Sequence, residues 1–185
     1  MIPPKLTKGD EVRIISPSRS MAILSEEVRA HAQRRFQELG LRVTFSNHAE
    51  EQDEFHSSSI ISRIEDLHAA FTDENVKAIF TTIGGFNANQ LLIGLDYKLI
   101  EKNPKILCGY SDITVLCNAI TAKTGLVTYS GPHFSTLGMK KGLEYTLKYL
   151  RGCLMNKKPF DISPSPAWSD DPWYLDQNKR ELIDN

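Results

Sequence analysis

The sequence lacks the features that mark membrane, secreted and nucleic-acid-binding proteins. No run of about 18 apolar residues occurs, and the first residues contain no apolar segment of signal-peptide length. The net charge of −1 provides no basic surface for a nucleic acid polymer or an anionic membrane. The 3 cysteines have no CxxC spacing, which favours reduced thiols. We therefore expect a cytoplasmic protein with neither membrane nor nucleic acid partners.

Motifs for cofactors and metals are also missing. No group of histidine and acidic residues has metal-ligand spacing, and the glycine-rich segment GGFNAN is neither a GxGxxG fingerprint nor a Walker loop. We predict no metal and no cofactor. The composition, with 41% hydrophobic and 24% charged residues, is that of an ordinary globular protein, and 185 residues are enough for one domain with an extension.

Short β-rich runs alternate with segments of helical period along the chain. Val12–Ile15 begins the pattern as a strand, and Ser25 can cap the helix that follows. The run Val76–Ile83 is almost continuously apolar, as in a strand covered on both faces. This alternation predicts an α/β fold, a three-layer structure with a parallel sheet between helices. The other predicted strands are 41–45, 106–108 and 126–129, and the other helices are 60–71, 87–92, 113–120 and 143–154.

Small or polar clusters follow four of these strands. They are Ser16-Pro17-Ser18, Gly84-Gly85, Gly109-Tyr110-Ser111 and Ser130-Gly131-Pro132. In a parallel sheet all four clusters lie along the edge formed by the carboxyl ends of the strands, where ligands bind.

Residues 156–185 differ in character from the rest of the chain. They contain four of the nine prolines and both tryptophans, and no dependable helical period. We interpret residues 1–155 as an α/β domain and residues 156–185 as an extended C-terminal arm or linker that leads to a further domain.

Ser111 is the most informative candidate residue. It lies between a buried strand and an amphipathic helix, in the stretch Gly109-Tyr110-Ser111-Asp112. Such a turn presents a side chain above the amides of a helix N-terminus, as in the nucleophile elbow, although the strict GxSxG motif is absent. The alternative is a simple helix cap by Ser111 or Asp112.

Gly84 and Gly85 end the buried strand that precedes this one. Paired glycines allow backbone amides to approach a ligand closely, so this turn could supply one donor of an oxyanion hole and the amide of Asp112 the other. The alternative is a plain turn.

Together, the segments IGGFNANQLL, LDY, NPKILCGYSDIT and GLVTYSGPHF resemble the LD-carboxypeptidase family, and most closely its microcin immunity branch. The opening Ser-Pro-Ser turn and the segment WSDDPWYLDQ fit the same family. The resemblance implies a flavodoxin-like fold, with Ser111 as nucleophile and the Asp112 and Gly85 amides as the oxyanion hole. Gly84 would support the turn. It also implies a small peptide or peptide–nucleotide substrate and a homodimer.

The resemblance further implies that the catalytic base comes from elsewhere. The family completes its triad with a glutamate and a histidine from a second domain, and we expect that domain to be absent from this chain. Of the five histidines only His133 is expected on the edge that carries Ser111, where it would shape the pocket. Tyr110, Trp168 and Trp173 could contact substrate, with packing as the alternative role.

Two functions follow from the sequence. The first is a serine peptidase or amidase that hydrolyses a cell-wall tetrapeptide or a microcin-type antibiotic. Residues 1–185 alone would then be inactive because they contain no base for Ser111. The second is a non-catalytic domain that folds and either associates with itself or only binds ligand.

Overall fold

The computed structural model describes all 185 residues, and its centre is a five-stranded parallel sheet. The strands are β1 (Glu11–Ile15), β2 (Arg42–Phe45), β3 (Val76–Thr81), β4 (Ile106–Gly109) and β5 (Tyr129–Ser130). The helices are α1 (Glu26–Glu38), α2 (Ile60–Thr72), α3 (Tyr97–Lys102), α4 (Thr114–Thr124) and α5 (Glu144–Met155). A small two-stranded ladder, β6 (Ala167–Trp168) with β7 (Ile183–Asp184), lies near the C-terminus.

The strand order of the main sheet is β2-β1-β3-β4-β5, which is the flavodoxin-like order. Every neighbouring pair is parallel, with Val12 opposite Val43, Ile14 opposite Phe80 and Cys108 opposite Tyr129. The predicted fold class is confirmed. Because all strands run the same way, the loops that follow them meet at one edge, called here the carboxyl edge. The opposite edge is the amino edge.

Alternate side chains of each strand enter two separate cores. Ile14 and Phe80 pack on one side, where Phe36 of α1 and Leu150 of α5 cover them. Ile15 and Ile79 face the other side, under α2, α3 and α4. Both faces of the sheet are therefore dry. This explains why the central strands are continuous apolar runs instead of alternating ones.

The local signals placed most elements well, but they missed helix α3 (Tyr97–Lys102), and two predicted elements differ from the structure. Ser25 caps α1 as expected, because its Oγ accepts a hydrogen bond from the Val28 amide at 3.3 Å. The short helix predicted at 87–92 is a 3₁₀ turn, Ala88–Leu91. The strand predicted at 126–129 shortens to Tyr129–Ser130, since only Cys108 and Gly109 of β4 pair with it.

Residues 156–185 fold back onto the domain and do not form an extended arm. Tyr149 Oη accepts a hydrogen bond from the Ser163 amide at 2.7 Å, and Gln177 Oε1 accepts one from the Lys140 amide at 2.6 Å. Trp173 packs against the core that α1 and α5 cover. Side-chain contacts hold the segment in place. None of the helices combines the length and apolarity that crossing a bilayer requires.

Candidate active site

Ser111 adopts a backbone conformation that few residues other than glycine tolerate. Its φ is 58°, and it starts a 3₁₀ turn, Ser111–Ile113, that leads directly into α4. The side chain is exposed at the carboxyl edge and makes no hydrogen bond. A left-handed, non-glycine residue costs about 1–2 kcal/mol and is typical of a strained turn that presents a functional side chain.

Gly84 lies directly against Ser111. A Cβ atom at Gly84 would be 3.0 Å from both Cβ and Oγ of Ser111, and 3.5 Å from Nε2 of His133. A larger residue at this position would press on the hydroxyl. The turn after β3 and the turn after β4 therefore share one small volume at the carboxyl edge.

Gly85 packs tightly against the loop that follows β1. A Cβ atom there would overlap Ser18 Oγ and lie 2.8 Å from Cγ of Arg19. Only glycine fits, and its backbone is held against the neighbouring loop. The first three clusters predicted to follow the strands therefore lie side by side, and the Gly131 amide, which donates to the Gly109 carbonyl at 3.3 Å, places the fourth cluster next to them.

The carboxylate of Asp112 links the loops on either side of it. Its Oδ2 accepts a hydrogen bond from Ser18 Oγ at 2.6 Å and another from the Ala88 amide at 2.9 Å. From the sequence, Asp112 was expected to act through its backbone amide or as a helix cap, and its side chain does neither of these alone. The side chain holds the loop after β1, the loop after β3 and the turn of Ser111 at fixed distances from one another.

Arg63 of α2 also donates hydrogen bonds to the loop after β1 and the loop after β3. Its Nη1 donates to the carbonyls of Pro17 at 3.3 Å and Asn87 at 3.2 Å, one residue before Ser18 and Ala88 in each loop. The side chain is buried, and burial lowers the pKa of its guanidinium while Asp53 and Asp112 raise it. Sequence reasoning missed this residue. The available signal was a basic side chain beside the apolar stripe of α2.

His133 lies beneath the site as a neutral imidazole. It is 2% exposed, and its Nδ1 is 2.7 Å from Oγ1 of Thr81. Burial lowers the pKa of His133 to about 4, although the carbonyl of Tyr110 acts in the opposite direction. Its Nε2 is buried and makes no hydrogen bond. The expectation that His133 shares the edge of Ser111 agrees with this placement.

Tyr110 differs from the packing role considered for it. Its ring is 44% exposed and stacks on the imidazole of His133, with 4.3 Å between ring centroids and 29° between planes. The backbone of Tyr110 is extended and that of the next residue, Ser111, is left-handed. The ring therefore faces the space in front of the sheet edge.

That space is a cavity of about 450 Å³. Trp173 and its neighbour Tyr174 line it, whereas Trp168 does not and instead pairs with Ile183 in the β6–β7 ladder. The structure thus brings Tyr110 and Trp173 together and leaves Trp168 apart. The lining residues are Arg19, Ile23, Leu24, Ser25, Val28, Ile83, Tyr110, Ser135, Trp173 and Tyr174.

No histidine or carboxylate makes a hydrogen bond to Ser111 Oγ. His48 is bound to Asp66, with Nδ1 2.9 Å from Oδ1, and His68 Nε2 accepts from the Asp96 amide at 3.0 Å. The arrangement offers an exposed hydroxyl, two nearby turns with amides and a roofed cavity. A base for the hydroxyl is not among the contacts of these 185 residues. No group of three or more metal-ligating side chains occurs in the structure.

These features define a doubly wound α/β domain with a strained serine at its carboxyl edge. The model of the LD-carboxypeptidase N-terminal domain matches residues 12–131, and the chain belongs to this family. It is 62% identical over 181 residues to the protein named putative carboxypeptidase YocD of Bacillus subtilis, an alignment that covers 98% of the chain and 56% of YocD.

Two solved structures show the same fold. The MccF-like protein of Bacillus anthracis superimposes with a TM-score of 0.98 at 63% identity, covering 100% of this chain and 56% of that one. MccF in complex with glutamyl sulfamoyl guanosine superimposes with a TM-score of 0.91 at 28% identity, covering 99% of this chain and 57% of that one. The resemblance to the LD-carboxypeptidase family and its MccF branch is therefore confirmed. The chain spans about half the length of these relatives.

Proposed function

We propose that residues 1–155 form the nucleophile-bearing domain of a serine peptidase or amidase, with Ser111 as the nucleophile. The observation that carries this proposal is the left-handed Ser111, whose exposed hydroxyl lies against Gly84 at the carboxyl edge. A serine that only caps a helix would be hydrogen-bonded and unstrained. Ser111 is neither, so its conformation points to a functional role. Membership of a carboxypeptidase family supports the same reaction class.

The proposed reaction is acyl transfer through an ester. Ser111 Oγ attacks the amide carbonyl and its proton passes to a base, while the amides of Gly85 and Asp112 hold the oxyanion. The C–N bond then breaks and the amine leaves with that proton. A water molecule hydrolyses the acyl-enzyme by the reverse sequence of proton transfers. Gly84 keeps the space beside the hydroxyl open.

We propose that the base, a glutamate–histidine pair, lies in a C-terminal domain of a longer chain, with residues 156–185 as the linker to it. Two facts support this: Ser111 Oγ has no basic partner here, and the relatives are nearly twice as long as this chain. The base of a serine nucleophile must lie within hydrogen-bond reach of its hydroxyl.

The substrate we propose is a small peptide or peptide–nucleotide conjugate, in the cytoplasm. A solved complex of MccF contains glutamyl sulfamoyl guanosine, and the cavity beside Tyr110 has the volume of ligand sites for such molecules. Tyr110 and Trp173 line this cavity and are the side chains we propose to contact the substrate, while the buried His133 supports the ring of Tyr110 from beneath. A cell-wall tetrapeptide is the other candidate of this class, and a homodimer is the proposed assembly.

The test compares two serines of the carboxyl edge in the longer chain. Ser111→Ala should reduce amide hydrolysis by orders of magnitude, because the attacking atom is lost. Ser130→Ala changes an exposed serine at the end of β5 and should leave the rate unchanged. Release of amino acid from tetrapeptide and from aminoacyl sulfamoyl nucleoside is measured by chromatography. Wild-type hydrolysis in the Ser111→Ala protein would overturn the proposal.

A second candidate function is ligand binding without turnover. The absence of a base near Ser111 Oγ favours it for residues 1–185 alone. In this case the longer chain would bind the same molecules and release no product. Sedimentation of the chain reports on the proposed dimer, and a monomer at all concentrations would contradict that assembly.

A further inference from the structure

Four strand-end loops contribute residues to the cavity beside Ser111, and the loop after β1 contributes the most. Arg19 follows β1, Ile83 follows β3, Tyr110 follows β4 and Ser135 follows β5. Trp173 and Tyr174 cover it from the C-terminal segment. The convergence of four neighbouring loops is the usual position of a ligand site in an open α/β sheet.

Arg19 is the only charged residue that lines this cavity. Its guanidinium makes no hydrogen bond and no ion pair, and its Nε is buried without a partner. The nearby Arg29 is different. It donates to the carbonyls of Leu24 and Met21 and to Glu50 Oε1, at 3.0, 2.7 and 2.8 Å. Buried polar groups in proteins are normally paired, so the unpaired donor of Arg19 needs an explanation.

The stem of Arg19 is held in place beside the candidate site. Its Cγ and Cδ lie 2.8 and 3.3 Å from where a Cβ of Gly85 would be, so the chain rests on the glycine turn. A cation fixed in a mostly apolar and aromatic cavity attracts an anion more strongly than a mobile, hydrated side chain does, because less water competes.

We propose that this cavity is an anion subsite in which Arg19 binds a carboxylate or phosphate-type group of the ligand. The rings of Tyr110 and Trp173 contact the planar or apolar body that carries the anion. That the ligand is also the substrate rests on the proposed function; the binding itself does not. The subsite selects a ligand with one anionic oxygen group joined to a body of roughly one amino acid or one nucleoside.

Calorimetry on residues 1–185 carrying Ser111→Ala tests the subsite without turnover. Two matched pairs of probes are used: N-benzoylalanine with N-benzoylalaninamide, and adenosine monophosphate with adenosine. In at least one pair the anion should bind about tenfold or more tightly than its neutral partner. The carboxylate pair represents a peptide terminus and the phosphate pair a nucleotide, so the pair that responds identifies the source of the anion.

Substitution of Arg19 then assigns the preference to that residue. Arg19→Gln should remove the advantage of the anion and leave binding of the neutral probe unchanged, and Arg19→Lys should retain part of it. Arg42→Gln is the matched control, because Arg42 is an exposed guanidinium near the amino edge that donates to the Gly9 carbonyl. Thermal unfolding verifies that each variant folds.

The proposal is overturned if both anions bind no better than their neutral partners, or if Arg19→Gln keeps the preference. Binding of the anion by this chain, with no hydrolysis by the longer one, would contradict the proposed peptidase activity and leave the subsite intact.

Discussion

Cavities of similar volume lie at the two edges of the sheet, about 370 Å³ at the amino edge and about 450 Å³ at the carboxyl edge. The amino-edge cavity contains charges of both signs, and its cations are satisfied. Lys105 Nζ donates to the carbonyls of Ala70 and Asp73, and Lys77 Nζ donates to the Glu74 carbonyl at 2.6 Å. The carboxyl-edge cavity contains one cation, Arg19, without a partner.

Backbone strain, like unpaired charge, is greater at the carboxyl edge than at the amino edge. At the amino edge the left-handed residues are glycines, among them Gly9, which has φ 91° and open space around it. In the loops at the carboxyl edge two residues other than glycine, His56 and Ser111, are left-handed, and each carries a conformational cost that glycine would avoid. Volume alone therefore does not distinguish a site. An unpaired charge and a strained backbone beside an exposed hydroxyl distinguish the carboxyl-edge cavity, because both features cost stability.

The largest effect is expected from a methyl group at Gly85. In Gly85→Ala the new Cβ would overlap Ser18 Oγ and crowd Arg19. The turn must shift, and with it the amide proposed as an oxyanion donor. Loss of one such donor costs about 100-fold or more in kcat. Steady-state kinetics on the longer chain measure this.

Gly9→Ala at the amino edge is its control. The added Cβ would meet nothing within 4 Å, so only the left-handed strain of about 1 kcal/mol should appear as lost stability. A rate loss in Gly9→Ala as large as in Gly85→Ala would remove the functional difference between the edges.

The next effect concerns acid stability and His133. Its pKa is lowered from 6.5 to about 4 by burial, so the unfolded chain takes up a proton at higher pH than the folded one. The contribution is fully present above pH 6.5 and is lost as pH falls towards 4, by about 3 kcal/mol in the free energy of unfolding. His133→Asn should flatten this slope in urea unfolding from pH 7 to 4.5.

His48 supplies a contrast of opposite sign. The hydrogen bond to Asp66 raises the pKa of His48, so its contribution is present at low pH and is lost as pH rises through the raised value. His48→Asn should therefore lower stability at acidic pH relative to neutral pH. An unchanged slope in His133→Asn would show that the imidazole is not buried as a neutral group.

The smallest effect is expected from the carboxylate of Asp112. Asp112→Ala leaves Ser18 Oγ and the Ala88 amide without their acceptor, and the two loops can separate. We expect about tenfold lower kcat with little change in KM, together with about 1–3 kcal/mol of lost stability. Asp112→Asn should retain most of the rate, because a single oxygen accepts both bonds.

Asp66→Ala is the matched control for this variant. Asp66 also accepts from a serine, Ser46 Oγ at 2.6 Å, and from a backbone amide, that of His48 at 3.1 Å. It is not among the residues that line the cavity. The control should lose comparable stability without a change in kcat. Equal rate losses in the two variants would reduce Asp112 to a general structural role.

Most of the fold could be predicted from local patterns. Val12–Ile15, the Ser25 cap and the buried run from Val76 each follow from a periodicity or a cap that neighbouring residues determine. The strand that ends at Ser130 was predicted less well, since its length depends on how much of β4 is left to pair with it. The C-terminal segment was expected to extend, because its tertiary contacts with Tyr149 and Lys140 leave no local signal.

The candidate site also has one part that the sequence predicts and another that it does not. The placement of Ser111 next to Gly84 at one edge follows from parallel topology. The hydrogen bonds of Asp112 and Arg63 join residues up to 94 positions apart. The unpaired charge of Arg19 likewise depends on which distant segments surround it. No spacing rule in a sequence reports such pairs.

By itself, the sequence determined the order of strands and helices and the chemical groups that end each strand, because those depend on neighbours along the chain. The tertiary structure decided which of those groups meet, which charges remain unpaired and which tryptophan faces the cavity. These features depend on packing between distant segments, because packing determines the space and the hydrogen-bond partners that remain for each polar group.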